Sequence, residues 1–485
     1  MKNRINSNLI LLSLSFFIYL VLTLICWNNG YFWDNIQQTS KEAHWFYLNH
    51  FSKFLMPAFD SGAYIVATGY HPPLMGIMTA FLWIVFGYKL WVSHVFVLVW
   101  GLILLYNLWK IIASFFPQIY VGWVSIIVVV ESTLLTQFAV ASPDYIMFVA
   151  FVMALRAIFE KKSILLSVAF FFLCAINMRG IFVGAILLFV HGYYIYLQAY
   201  RKHETGIYLR KFLPYLPTLV LLSAYFTYYF LERGWFFSNS SSYAGHYSQP
   251  HSFIQIIRHF ASFGLRSVEN GRIVIWLIAI YVTFVVLKRK LTLSSEIKVL
   301  ILCFLLLNAL YFVFVFITQM PFTERYFMPQ FFLLTILACR GVIEILNFKK
   351  SILLFSIILC FEITGHFWIY PEKIVTFWDC TLAHLPYYQL RDKCFDYIDE
   401  KKIDYNDVAG SFCFYDDRRF VELRNEGKIV GDTDSLKYYI YSNISNAKDE
   451  WLDELKTSTR LIPVKRFEKG LVHITIYKNV MSQKK

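Results

Sequence analysis

Apolar residues along this chain come in long runs, with polar residues gathered in short clusters between them. The first run covers 9–27. Eleven more follow at roughly 72–87, 91–114, 121–140, 144–159, 163–178, 181–199, 212–231, 272–287, 297–318, 326–346 and 351–370. Most have the length of about 17–22 residues that a helix needs to cross a hydrocarbon core of about 30 Å. A helix satisfies its own backbone in lipid and a lone strand does not, so the runs predict membrane helices. Beyond Tyr370-Pro371 the pattern changes. Strand-like runs at 408–415, 438–441 and 471–477 flank a helical stretch near 449–456, the pattern of a small α/β unit. The expected fold is an all-α polytopic membrane domain over 1–370 with a soluble α/β domain over 371–485.

The polar clusters set the orientation. Glu160-Lys161-Lys162, Arg201-Lys202-His203 with Arg210-Lys211, Lys288-Arg289-Lys290, and Lys349-Lys350 are basic and belong on the cytoplasmic side. Each is separated from the next by two runs, so this half is self-consistent. Counting from the N-terminus agrees only if one earlier run fails to cross. The best candidate is 72–87, which is short, opens on Pro72-Pro73 and ends at Gly87. About eleven crossings remain, the first helix being uncleaved with its N-terminus inside. Segments 28–90, 140–143, 178–180, 232–271, 319–325 and 371–485 then share the extracytoplasmic face. In the first of these, 36–55 has apolar residues near helical period, which predicts a helix lying in the interface with Lys41, Glu42 and Asn49 on its polar side. The Ser- and His-rich 232–271 segment reads as a gating loop or a solvated connector.

Composition agrees with a membrane protein. Of 485 residues 58% are hydrophobic, 19% aromatic and 16% charged, where soluble domains carry about a quarter charged. The net charge of +13 follows from the basic cytoplasmic loops. The soluble segments lack a basic patch interleaved with aromatics, which argues against nucleic acid. Five of eight cysteines, Cys26, Cys174, Cys303, Cys339 and Cys360, lie in apolar runs and read as small core residues. Cys380, Cys394 and Cys413 lie in the tail. The absence of C-x-x-C argues against zinc, and one tail disulfide stays open.

Candidate chemistry sits at the extracytoplasmic ends of helices. Asp34 follows the first run in Tyr31-Phe32-Trp33-Asp34-Asn35, and Asp144 opens a later one in Ala141-Ser142-Pro143-Asp144-Tyr145. Ionisable groups at a membrane boundary are costly and mark function. The bland alternatives are a solvated loop acid for Asp34 and an ordinary Pro-acid helix start for Asp144. In Tyr70-His71-Pro72-Pro73-Leu74 the prolines hold His71 at the mouth of a short helix, where it also suits a cap. Arg325, in Thr323-Glu324-Arg325-Tyr326-Phe327-Met328-Pro329, and Arg179, in Asn177-Met178-Arg179-Gly180, suit phosphate. Pairing with Glu324 is the alternative for Arg325.

These motifs, in this order and on one face, resemble the membrane glycosyltransferases of the GT-C fold, in particular the branch of protein O-mannosyltransferases and lipid A aminoarabinose transferases. The resemblance covers about residues 8–370. It implies transfer of a sugar from a polyprenyl-phosphate donor to a glycan, lipid or protein acceptor outside the cytoplasmic membrane. It further implies that Asp34 is the general base or orients the acceptor nucleophile, that Asp144 is the second acidic residue of the catalytic site, and that Tyr70, His71, Arg179, Arg325 and Tyr326 bind substrate, with His71, Arg179 and Arg325 on the lipid-phosphate side. The chain departs from many relatives at Asn35, where they carry a second acid. That departure weakens the case for a divalent metal and leaves the metal undetermined; no other cofactor is implied. One base acting in direct displacement gives inversion at the anomeric carbon. A lipid or glycan transporter or flippase is the alternative, although paired similar halves and mid-membrane acids are not evident.

Overall fold

The computed structural model describes residues 2–56, 71–202, 208–234, 252–318, 322–414, 416–432 and 436–481. Tyr70, one of the expected substrate-binding residues, and the serine cluster of 238–242 lie outside them. The N-terminal part comprises α1 (Lys2–Cys26), a π-helix (Ile36–Lys41), α2 (Glu42–Leu48), α3 (Leu74–Phe86), α4 (Leu90–Phe115), α5 (Gln118–Val129), α6 (Ser132–Ala139), α7 (Pro143–Glu160) and α8 (Ser163–Ile176). It continues through α9 (Met178–Lys202), α10 (Leu216–Arg233), α11 (Phe253–Val268), α12 (Ile273–Arg289), α13 (Ser295–Ile317), α14 (Met328–Ile345) and α15 (Phe348–Gly365).

Among the described residues five helical stretches are long and apolar enough to cross a membrane: Asn8–Cys26, Leu90–Phe115, Met178–Ala199, Ser295–Ile317 and Glu324–Ile345. Counting two bent pairs as single spans raises the number to seven. The protein is integral to a membrane. Helix α3, at 13 residues, reaches only about 20 Å and is too short to cross. Helix α7 runs through the centre of the bundle, every residue from Pro143 to Ile158 buried. Its one buried cation, Arg156, is accordingly neutralised by Glu160 at 2.8 Å and donates a further hydrogen bond to Asn107 Oδ1 at 2.9 Å.

Three expectations about helices change. The run 121–140 is not one helix: α5 and α6 meet at 62°. Glu131 makes the break, its carboxylate accepting from the backbone N–H of Thr133 and Leu134 at 3.2 and 2.8 Å. The same carboxylate receives Arg272 Nε at 2.8 Å, so a charge that interrupts the helix is paired inside. The expected 232–271 loop contains α11, opened by a Ser252/Gln255 capping box and turned 89° from α12. Phe253, Ile254, Ile257 and Phe260 remain exposed on it, as on a helix lying in an interface. The 36–55 helix is shorter and deeper than expected. Lys41 and Glu42 are buried, because Gly76 of α3 brings its backbone against Glu42 and the C-terminal part covers the other side. Cys360 is exposed rather than in the core, and all eight cysteines are free.

The C-terminal part carries α16 (Pro386–Glu400), α17 (Arg418–Glu422) and α18 (Asp449–Thr457). Its four-stranded sheet has the order β1 (Val408–Gly410), β4 (Tyr438–Ser442), β6 (Val472–Asn479), β5 (Leu461–Lys469). Strand β1 is parallel to β4 and the other pairs are antiparallel. A two-stranded ribbon joins β2 (Asp416–Asp417) to β3 (Ile429–Val430). Strand β5 was not anticipated: it is an edge strand with an exposed, charged face and a proline, Pro463, at its bulge, which is how edges are protected. This part is not a separate bead on the chain. Phe32 and Trp33 from the loop after α1 join its core with Tyr387, Phe414 and Ile474. The Tyr31 N–H donates to Val421 O at 2.9 Å and Ser40 Oγ to Phe420 O at 2.5 Å.

Candidate active site

The loop after α1 is fixed on both sides of Asp34. Before it, Phe32 and Trp33 stack at 5.3 Å within the C-terminal core. Trp33 takes a left-handed backbone, φ 49°, which reverses the chain. After it, the Asn35 side-chain amide donates to Val140 O at 3.0 Å. Asn35, the position where an acid was expected by resemblance, is thus a strut between this loop and the α6–α7 elbow. That elbow turns at Ala141, φ 53°. Ser142 Oγ then accepts the Asp144 N–H at 3.1 Å, with Pro143 in the first turn, a cap of the ordinary kind.

The cap does not use the Asp144 carboxylate, which is 1% exposed. It accepts the Asn177 amide at 2.7 Å and Arg179 Nη2, at 2.6 Å to Oδ2. Arg179 lies in the first turn of α9, where Gly180 N–H donates to Asn177 Oδ1 at 2.9 Å. Gly180 packs so closely on the Leu173 carbonyl that a Cβ has no room. His71 reaches the same turn, its Nδ1 accepting Met178 N–H at 3.1 Å. Burial, followed by the Arg179 charge, lowers His71 to about 3. It is neutral, with its proton on Nε2.

Arg325 joins the pieces. It sits in a 3-10 turn, Glu324–Phe327, just before α14. Its Nη2 pairs with Asp34, its Nη1 lies 2.9 Å from Asp379 Oδ2, and its Nε lies 3.6 Å from Asp144 Oδ2. Tyr326 stacks under both cations, its ring centre 4.1 Å from Arg179 Cζ and 5.6 Å from Arg325 Cζ. Glu324 is not the partner of Arg325: it faces Arg266 at 3.8 Å. The structure therefore brings together Asp34, Asp144, His71, Arg179, Arg325 and Tyr326. Burial alone would raise Asp34, but the Arg325 pair, with Arg179, holds it below the ordinary carboxylate range.

Asp379 was missed by sequence reasoning. It lies in a 3-10 turn, Trp378–Cys380, at the threshold of the C-terminal part. Its carbonyl accepts Gln137 Nε2 at 2.7 Å, and its carboxyl is 2% exposed. Burial raises its affinity for a proton, and Arg325 opposes that. A signal was present: Phe377-Trp378-Asp379 repeats the tripeptide Phe32-Trp33-Asp34. Among the described residues no group of His, Cys, Asp and Glu is arranged to hold a metal ion; a guanidinium occupies the centre of the carboxylates instead.

A helical membrane bundle capped by a small sheet is the architecture of the GT-C fold. The chain is similar in structure to ArnT from Cupriavidus metallidurans bound to undecaprenyl phosphate, with TM-score 0.53, 10% identity, and coverage of 96% of this chain and 97% of that one. Against the same protein in the apo state the values are 0.52, 11%, 96% and 97%. No family model and no curated protein matches the sequence.

Proposed function

We propose that this protein is a glycosyltransferase that moves a sugar from a polyprenyl-phosphate donor to an acceptor at the extracytoplasmic face of the cytoplasmic membrane. The observation that carries the reading is the meeting of Asp34, Asp144 and Arg325, from three distant segments, beside Arg179 and His71. The solved structure of similar fold that holds undecaprenyl phosphate supports a polyprenyl lipid as the donor's carrier. The basic connections support eleven crossings, with the site and residues 371–485 outside.

The chemistry follows from the side chains. Asp34 accepts the proton of the acceptor hydroxyl as its oxygen bonds to the anomeric carbon. The bond from that carbon to the phosphate oxygen breaks, and polyprenyl phosphate leaves. General-base assistance contributes about 10²–10⁴-fold. The arginines take up the charge that develops on the leaving phosphate; one such fixed donor is worth about 10²–10³-fold. Asp144 orients Arg179, and His71, neutral and held by the Met178 N–H, stands beside that arginine. A single displacement inverts the anomeric carbon.

The test is an assay of the purified protein against a panel of polyprenyl-phosphate sugars, read by mass spectrometry, with Asp34→Ala alongside. Transfer by the wild type and its collapse in the folded variant support the reading. Absence of transfer from every donor, or unchanged transfer by the variant, refutes it.

A further inference from the structure

Arg325 stands among three carboxylates that are not equivalent. Asp144 and Asp379 are 1% and 2% exposed, whereas Asp34 keeps 37% exposure. Both buried acids have further ties: Asp144 to Asn177 and Arg179, and Asp379 through its backbone carbonyl to Gln137. Asp34 and Asp379 end identical Phe-Trp-Asp tripeptides and take opposite ends of one guanidinium, Nη2 and Nη1. One of the two ends is therefore fixed and the other is at the surface.

In this arrangement neither proposed role operates. The base is held in an ion pair, and all three nitrogens of the phosphate-binding guanidinium face acids. Two guanidiniums, Arg179 and Arg325, already face three carboxylates, so an added phosphate meets net negative charge. Exchanging the Asp34 carboxylate on Nη2 for one phosphodiester leaves the charge in contact with the Arg325 guanidinium unchanged, while Asp34, 37% exposed, turns toward solvent. We propose that Arg325 is an exchange seat: the donor's phosphate takes the place of Asp34 on Nη2, Asp379 keeps the guanidinium anchored through Nη1, and Asp34 is thereby released to the acceptor hydroxyl. This rests on the transferase reading above. It makes the base available only when the leaving group is in place, so proton acceptance is coupled to donor binding. Asp379 is a positioning residue in this scheme, acting through Arg325.

The two ends of the guanidinium give the test. Asp34→Asn and Asp379→Asn each remove one negative charge from the same arginine, but only the first empties the proposed seat. The probe is undecaprenyl phosphate, titrated into the full-length protein in detergent micelles and read by native mass spectrometry. If Asp34 occupies the seat nine-tenths of the time, freeing it tightens binding about tenfold. The expected result is that Asp34→Asn tightens the dissociation constant by that factor, Asp379→Asn does not, and adding Arg325→Ala to Asp34→Asn abolishes the gain. Asp144→Asn is a second control at a buried acid and likewise gives no tightening. Equal tightening by all three asparagine variants is the signature of a diffuse field and overturns the exchange, as does no tightening in Asp34→Asn or no binding in any form. The donor-panel assay separates this from the reading beneath it. Tightening specific to Asp34→Asn in a protein that transfers no sugar leaves a lipid-phosphate seat and removes the transferase. Transfer by the wild type without that tightening removes the seat alone.

Discussion

Removing Arg325 exposes how the site is balanced. In Arg325→Ala, Asp144 keeps Arg179 and Asn177, and Asp34 turns to water. Asp379 has no such recourse. Its carboxylate is 2% exposed, and beyond Arg325 it has Gln137 Nε2 at 3.5 Å and the Cys380 thiol at 3.6 Å. Stranding one member of a buried pair costs roughly 3–5 kcal/mol, and nearly all of it falls on this one carboxyl. Removing the stranded charge should recover much of that loss. Adding Asp379→Asn to Arg325→Ala is therefore expected to stabilise the protein by about 2 kcal/mol, although Asp379→Asn alone destabilises the wild type; couplings of about 0.5–3 kcal/mol are usual for contacting pairs. The sign with pH follows. Burial raises the Asp379 carboxyl, and Arg325 opposes this. Without Arg325 the folded-state value rises further above the unfolded one, so the protonated form is favoured on folding and the deficit of Arg325→Ala is smaller at pH 5 than at pH 7.5. The assay is a double-mutant cycle in detergent micelles, with unfolding followed by tryptophan fluorescence at both pH values. Simple additivity, the double variant being weaker than Arg325→Ala by the full cost of Asp379→Asn, refutes the argument.

Asp34→Ala should lower sugar transfer by about 10²-fold or more with little change in unfolding temperature, since the side chain is 37% exposed; an equal fall in both quantities would contradict this. Gly180→Ala places a methyl group against the Leu173 carbonyl, so a loss of about 1–3 kcal/mol and of transfer is expected, through displacement of Arg179; a neutral variant would remove that constraint. His71 is lowered from 6.5 to about 3 by burial, so the folded protein excludes a proton that the unfolded chain takes up. Stability should fall as pH drops below 6.5, by up to about 1.4 kcal/mol per pH unit, and His71→Gln should flatten that slope in thermal scans at pH 4–7. Single cysteines at Lys161 and Lys401 should be protected and accessible, respectively, to an impermeant label applied from outside; the reverse pattern would invert the topology.

Much of the site was readable because its members close or open apolar runs. Asp144, Arg179 and Arg325 each stand at such an end and Asp34 lies in the loop that follows one, and the alternation of basic connections put those ends on one face. What escaped has a common cause, namely compensation from far away in sequence. Glu131 gave no sign of a helix break in the 121–140 run, because the Arg272 that neutralises it and sustains the break is 141 residues distant. Lys41 and Glu42 suggested a wet face, since the cover over that segment comes partly from Phe420. Asp379 fell in a stretch whose composition reads as soluble, where an aspartate excites no interest. Its repeated tripeptide was the available clue. Tyr326 was expected to contact substrate; what sequence did not show is that its ring lies beneath two guanidiniums.

The grip of residues 376–422 on the loop after α1 bears on how such a chain diversifies. A version cut at residue 370 would lose more than an appendage: Arg325 would lose a ligand, and Phe32 and Trp33 would lose the core that seats them. Chimaeras that exchange the extramembrane cap for one from a distant homologue should fail unless both Phe-Trp-Asp segments travel together. Inheritance of the two ends of this polypeptide is thus coupled, and sequence change is more easily tolerated at the far rim of the sheet, around the exposed edge strand β5, than at its root.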